Sequence, residues 1–246
     1  FILHLNNDEE NTQDNILNAE QATEYFKEIA GNWQLKCKVE VSNKLVAKAM
    51  VNNEKAQLLI NKSATFDRKE LHAFAHHELG IHMLTTLNAK QHDLKVFSLV
   101  LPGNTHTQEG IAIYSEYCSG SLTISRLKSI ALRVLAVHYM LQHSDFVKTY
   151  HALIDEFCLA KDTAFTLATR VYRGGGFTKD YLYLKGFRDI LNLAKKGNIE
   201  NLLVGKTGIN ELNIINELVE RNMIGEPKPL FDLSYKPTPD PILNFI

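Results

Sequence analysis

Cysteine is scarce. Cys37, Cys118 and Cys158 are the three in 246 residues, widely separated and with no Cys-x-x-Cys pair. That excludes a disulfide framework and a thiolate zinc knuckle, and reduced thiols in a cytoplasmic protein are expected. An excess of one charge is lacking too. Lys and Arg number 27 against 28 Asp and Glu, a net charge of −1, so neither nucleic acid nor an anionic membrane is an expected partner. No apolar run is long enough to span a bilayer. The opening FILHLNNDEE has neither a starting Met nor the basic n-region of a signal peptide, and reads as a cut from a longer chain. Repeats and low-complexity tracts are absent, and composition marks no boundary. With 45% hydrophobic residues, a single domain over 1–246 is expected, with a polar arm at 1–18 and a Pro-rich tail at 226–246.

What is present starts with the acidic stretch 6–15 inside that arm. A short helix over 19–30 ends at Gly31. Residues 35–41, LKCKVEV, alternate apolar and polar like a half-buried strand. Runs at 45–51 and 56–61 follow, with a turn at Asn52-Asn53-Glu54. From about residue 66 the period is helical. Asp67 before Glu70 resembles a capping box, opening a helix through His72 and Glu78. Thr105 before Gln108 repeats the pattern and opens a helix over 106–118. Leu127, Ile130, Val134, Val137 and Leu141 form one apolar stripe, and Phe146, Tyr150, Leu153 and Phe157 another. Arg173 and the three glycines after it break the next helix. Thr178 caps its successor, whose inner face holds Leu184, Phe187, Leu191 and Ala194. A last helix covers about 209–221, and the prolines of the tail predict an extended segment on the surface. The fold expected is α+β and zincin-like: a small N-terminal antiparallel sheet followed by a mainly helical body.

Four histidines, His72, His76, His77 and His82, crowd into eleven residues, the last two framing HELGIH. The zinc-peptidase helix HExxH sets its histidines four apart on one face. Here they stand five apart. On a regular helix five residues turn through about 500°, leaving the side chains about 140° apart, too far round to grip one ion. A π-bulge, or unwinding near Gly80, must absorb the extra residue. Catalytic zinc takes three protein ligands and keeps a fourth position open. Glu109, in Thr107-Gln108-Glu109-Gly110, supplies the third from the first turn of its helix. Glu78, beside a ligand, is then placed as general base, moving a proton from the attacking water to the leaving amine while zinc polarises the scissile carbonyl. A rival register pairs His72 with His76 but leaves no acid in the base position; these two are read as core, or as supports to the ligands. His92, His106, His138, His143 and His151 read as surface or satisfied core residues. A merely solvated polar face would leave the crowding unexplained.

HELGIH followed by TQEGIA resembles the QEGLA-motif bacterial hydrolases and the microtubule-associated tyrosine carboxypeptidases of animals, which share HExxxH and a downstream Glu. The resemblance runs from about residue 20 to 220 and takes in Arg170-Val171-Tyr172-Arg173-Gly174 and the segment from Phe177 through Lys179 to Tyr183. Ile111 stands where the bacterial motif has Leu. The resemblance implies a metallopeptidase-like domain with zinc on His77, His82 and Glu109 and with Glu78 catalytic. The animal enzymes remove a C-terminal tyrosine from α-tubulin. A bacterial-type member would act elsewhere, so tubulin stays outside the leading expectation.

A carboxypeptidase must also neutralise its substrate's free carboxylate, which arginine does through two parallel hydrogen bonds. Arg170 and Arg173 flank Tyr172 just before the glycine run, and Lys179 follows. One of these three is expected to hold the carboxylate, with Tyr172 or Tyr183 donating to the oxyanion. The plain alternatives are an Arg170 paired with a helix carboxylate and Lys179-Asp180 as helix-start charges. Glu116, seven residues after Glu109, can orient a ligating histidine or form a surface salt bridge. Trp33 reads as core. The sequence thus predicts a cytoplasmic zinc metallopeptidase, a carboxypeptidase by preference, with one Zn2+ per chain and a peptide or protein C-terminus as substrate. A non-peptidase zinc hydrolase (amidase or deacylase) and a metal-binding regulatory module without turnover are the alternatives. Glu78 argues against the module, because a structural zinc site is closed by four ligands and needs no base.

Overall fold

A computed structural model of the chain describes residues 16–99, 101–173 and 177–236, with the backbone alone at 177 and 178. The acidic stretch, the glycine run 174–176 and the last three prolines lie outside the described residues.

Asn18 accepts from Gln21 N and Gln21 answers Asn18 N, closing a capping box that starts α1 (Ala19–Asn32). Ala19, Ala22, Phe26 and Ala30, spaced three to four apart, pack onto the sheet that follows. Its strands are β1 (Lys38–Ser42), β2 (Ala49–Asn52) and β3 (Gln57–Asn61), in the order β1-β3-β2. β2 and β3 form the expected antiparallel pair. β1 instead runs parallel to β3, Val39 opposite Leu58, so the sheet is mixed. β1 and β2 run in opposite directions and β3 enters between them, so it can oppose only one. The fold class is α+β.

Beyond the sheet comes one continuous helical rod in three parts: α2 (Arg68–Phe74), a π-helix (Ala75–Met83) and α3 (Leu84–Gln91). Asp67 caps α2 by accepting from Glu70 N at 2.7 Å, while the Glu70 carboxylate turns to Lys48 at 2.6 Å, so the expected box is half closed. The π-helix is buried at every residue but His82. Ala75, Leu79 and Met83 join the core formed with α1 and the sheet. Ile81 enters a second core, and His76 and Gly80 lie under Phe231. His77 and His82 share the remaining side.

That second core surrounds α4 (Asn104–Cys118) and α8 (Phe177–Ala194). α4 opens directly after Gly103 without a side-chain cap, ahead of the Thr105–Gln108 pattern, because Gln108 turns inward to Thr85 and Lys206. Glu109 therefore stands in the second turn, not the first. α4 and α8 touch through glycine: a Cβ added at Gly110 would stand 2.6 Å from the Gly186 carbonyl. Thr178 falls within α8 as described rather than ahead of it. α5 (Ile124–His143), α6 (Phe146–Asp155), α7 (Lys161–Tyr172) and α9 (Leu212–Glu220) complete the body. Leu127, Ile130 and Val137 are buried on α5 as expected, but Leu141 is 62% exposed, since in the last turn Met140 takes the inward position. Residues 226–236 return across the π-helix, with Phe231 on His76 at 4.4 Å between ring centres and Leu233 buried beside Tyr114.

Candidate metal centre

The five-residue spacing is reconciled by the backbone. A π-helix bonds i to i+5, so residues five apart return to one side, and the rings of His77 and His82 stand 4.9 Å apart. Glu109 arrives from α4. Its Oε2 lies 3.4 Å from His77 Nε2 and 3.6 Å from His82 Nε2, and the three donor atoms lie within 4.8 Å of one another. Two ligands on one tetrahedral zinc, each bonded at about 2.0–2.1 Å, stand about 3.4 Å apart. Glu109 Oε2 is also buried without a hydrogen-bond partner, an orphan that a cation would satisfy. The donor set therefore fits a divalent metal. Among the described residues no other such trio occurs. His72 and His76 do stack, at 4.6 Å. But His76 packs against Trp33 and Phe231, and burial, then the neighbouring His72, push its pKa down to about 4, so it is a neutral packing ring. Trp33 itself is half-buried there.

Behind His77 runs a chain of charge. Glu116 Oε1 lies 2.7 Å from His77 Nδ1, and Arg126 grips Glu116 through Nε at 3.1 Å and Nη2 at 3.0 Å. Burial would raise the Glu116 pKa, but the Arg126 charge and the His77 hydrogen bond bring it down to about 2. A Nδ1–H held by Glu116 leaves the Nε2 lone pair facing the trio. Burial also works against a charged His77, yet the facing carboxylates of Glu109 and Glu116 lift its pKa to about 10, so a proton holds the place a cation could take. For Glu109, too, burial is outweighed: His77 and His82 hold its carboxyl well below the usual range.

Lys206 is the second support. Its buried ammonium donates to His82 O at 3.0 Å, Thr85 Oγ1 at 2.8 Å and Gln108 Oε1 at 3.2 Å. Thr86 adds a hydroxyl to the same His82 carbonyl at 2.8 Å. Burial lowers the Lys206 pKa to about 8 against the pull of Glu109 and Glu78. Glu78 is buried beside His77 and lines, with the trio, a cleft of about 1480 Å3.

The predicted substrate groups divide. Tyr183 is buried and lines the cleft. Lys179 lines it too, but sits on Glu109 Oε1 at 3.1 Å. Arg170 lines it with its Nε committed to buried Asp180 at 2.5 Å, and Arg173 is exposed at its rim. Tyr172 does not face the cleft: its hydroxyl meets Thr149 at 2.9 Å and its ring packs on Phe146, inside the α5–α7 core. Lys206, Arg126 and Arg133 escape the sequence. The one signal was the seven-residue spacing of Arg126 and Arg133, two turns along one face of α5. His106 is part-buried and satisfied by Asp189 at 2.9 Å.

No curated protein matches the chain. A family model described as microtubule-associated tyrosine carboxypeptidase matches residues 1–246, the full length of the sequence. A mixed sheet feeding a helical body, a convergent His77–His82–Glu109 trio and this end-to-end match agree, and the chain belongs to the microtubule-associated tyrosine carboxypeptidase family.

Proposed function

We propose that the chain is a zinc-dependent carboxypeptidase hydrolysing the last peptide bond of a peptide or protein. The observation that carries this reading is the convergence of two imidazoles on an otherwise orphaned carboxylate oxygen, beside a further carboxylate, Glu78, that the trio does not use. His77, His82 and Glu109 would hold the ion, which when bound supplies the Lewis acidity that polarises a carbonyl and lowers the pKa of water towards about 7. Glu78 takes a proton from the attacking water and returns it to the leaving nitrogen, so the C–N bond breaks to a carboxylate and an amine. Tyr183, kept a neutral phenol because burial raises its pKa, donates to the carbonyl oxygen as negative charge builds. Lys179 neutralises the outer oxygen of Glu109.

A peptide substrate is favoured over a small amide by β2, an edge strand that lines the cleft and can receive an extended chain. The family's description makes a C-terminal tyrosine the first residue to test, with tubulin one candidate bearer. A cytoplasmic location rests on the three free thiols. Among the described residues no helix is long and apolar enough to cross a membrane.

Elemental analysis of protein purified without added metal tests the reading, on wild type, Glu109→Ala and Glu78→Gln. Wild type and Glu78→Gln are expected to hold about one zinc per chain, and Glu109→Ala to lose it. Release of single C-terminal residues from a peptide library should fall by about 10²- to 10⁴-fold in Glu78→Gln. No zinc in any of them after zinc is supplied ends the metal reading. Turnover that survives Glu78→Gln ends the role given to Glu78.

A further inference from the structure

The wall of the cleft built from α5, α7 and α8 is rich in cations, and most are already engaged. Arg126 is held by Glu116, Arg170 by Asp180 and Lys179 by Glu109. Arg133 differs. None of the described carboxylates forms an ion pair with it, and its guanidinium lies on the face of Tyr183, 5.1 Å from the ring centre. It is half-buried and lines the same cleft as His77, Glu78, His82 and Glu109. A partly desolvated cation among like charges is unfavourable until an anion reaches it. Its surroundings show that cost: burial, then the Arg170 and Arg126 charges, lower its pKa to about 10.

Arg133 is linked to the metal trio through Tyr183 and Lys179. Lys179 Nζ is 3.1 Å from Glu109 Oε1 and 6.0 Å from the Tyr183 ring centre, and Arg133 lies on that ring. The carboxylate of a substrate's last residue lies one residue, about 3.5 Å, beyond the scissile bond. A guanidinium in the same cleft, on the face of Tyr183 and hydrogen-bonded by none of the described residues, can offer that carboxylate a two-pronged contact.

We propose that Arg133, resting on Tyr183, is the receptor for the substrate's C-terminal carboxylate. The assignment rests on the carboxypeptidase reading and is preferred to the sequence candidates, of which Arg170 and Lys179 are each already paired with a carboxylate and Arg173 sits at the rim. It makes Arg133 the residue that restricts cleavage to the end of a chain.

Calorimetric titration of one tetrapeptide, as free acid and as C-terminal amide, into zinc-loaded Glu78→Gln measures recognition without turnover. The free acid is expected to bind roughly tenfold to a hundredfold more tightly than the amide. Adding Arg133→Gln should erase the difference, and adding Arg133→Lys should restore part of it, with zinc content and melting temperature unchanged. Equal binding of acid and amide to Glu78→Gln, or a preference that survives Arg133→Gln, overturns the assignment. The parent reading fails on a different result: wild type releasing no terminal residue while Glu78→Gln still prefers the acid.

Discussion

Without a metal, His77 is set to hold a proton that a bound cation would displace. Its pKa stands at about 10 against an ordinary 6.5, so between those values the folded, metal-free site holds a proton that the unfolded chain would not. That stabilisation is complete below 6.5 and lost as pH rises through about 10. Zinc binding at pH 8 should therefore release about one proton per ion, read by calorimetry in buffers of different ionisation enthalpy, and the release should vanish above pH 10. Glu116→Gln removes the negative charge facing Nδ1 and should weaken zinc binding by about 10- to 100-fold. At this scale the sequence was legible where chemistry is local. His77 and His82 of HELGIH meet Glu109 as expected, and Glu109 and Glu116 share a helix face seven residues apart. Arg133 and Lys206 were not legible, because nothing beside them in the chain marks them. They reach the site from α5 and from the segment before α9, and only the folded arrangement makes the first unpaired and the second a brace.

At the scale of elements, the position of Glu109 depends on how closely α4 lies on α8. The contact at Gly110 is backbone against backbone, and an added Cβ cannot be relieved by turning a side chain. Gly110→Ala should force the helices apart, cost about 1–3 kcal/mol in denaturant unfolding, and weaken zinc binding because the neighbouring Glu109 is a proposed ligand. Full stability with full affinity would mean that the helices are free to shift. The helices themselves were readable from their apolar stripes and from the Asp67 cap. The mixed sheet was not, since strand order depends on pairings distant in sequence. The start of α4 was misread because Gln108, which could have answered Thr105, is bound by Lys206 instead. Tyr172 was misplaced for a related reason: it ends α7, where a turn of one residue decides between cleft and core.

At the scale of the molecule, the trio joins two packed regions. His77 and His82 stand on a rod rooted in the core of α1 and the sheet, and Glu109 stands on α4 in the other core. An ion bound to all three couples those regions, so it should stabilise the chain as a whole. At zinc one hundred times its dissociation constant the gain is about 2.7 kcal/mol. Thermal melting should show one transition that zinc moves upward and a chelator moves back; two transitions, of which zinc moves one, would contradict the coupling. The class of fold and the crossing of the two motifs were legible, whereas the meeting of the cores on one rod was not. The π-helix also acts as a vernier between those cores. Residues added to an α-helix advance its face by about 100° each, so the single extra residue sets the phase of everything after it. Leu71 and Leu79 keep time with the sheet, while Ile81 and Thr85 keep time with α4 and Lys206. The odd spacing that brings two histidines to one side is thus the same offset that lets one helix serve two clocks.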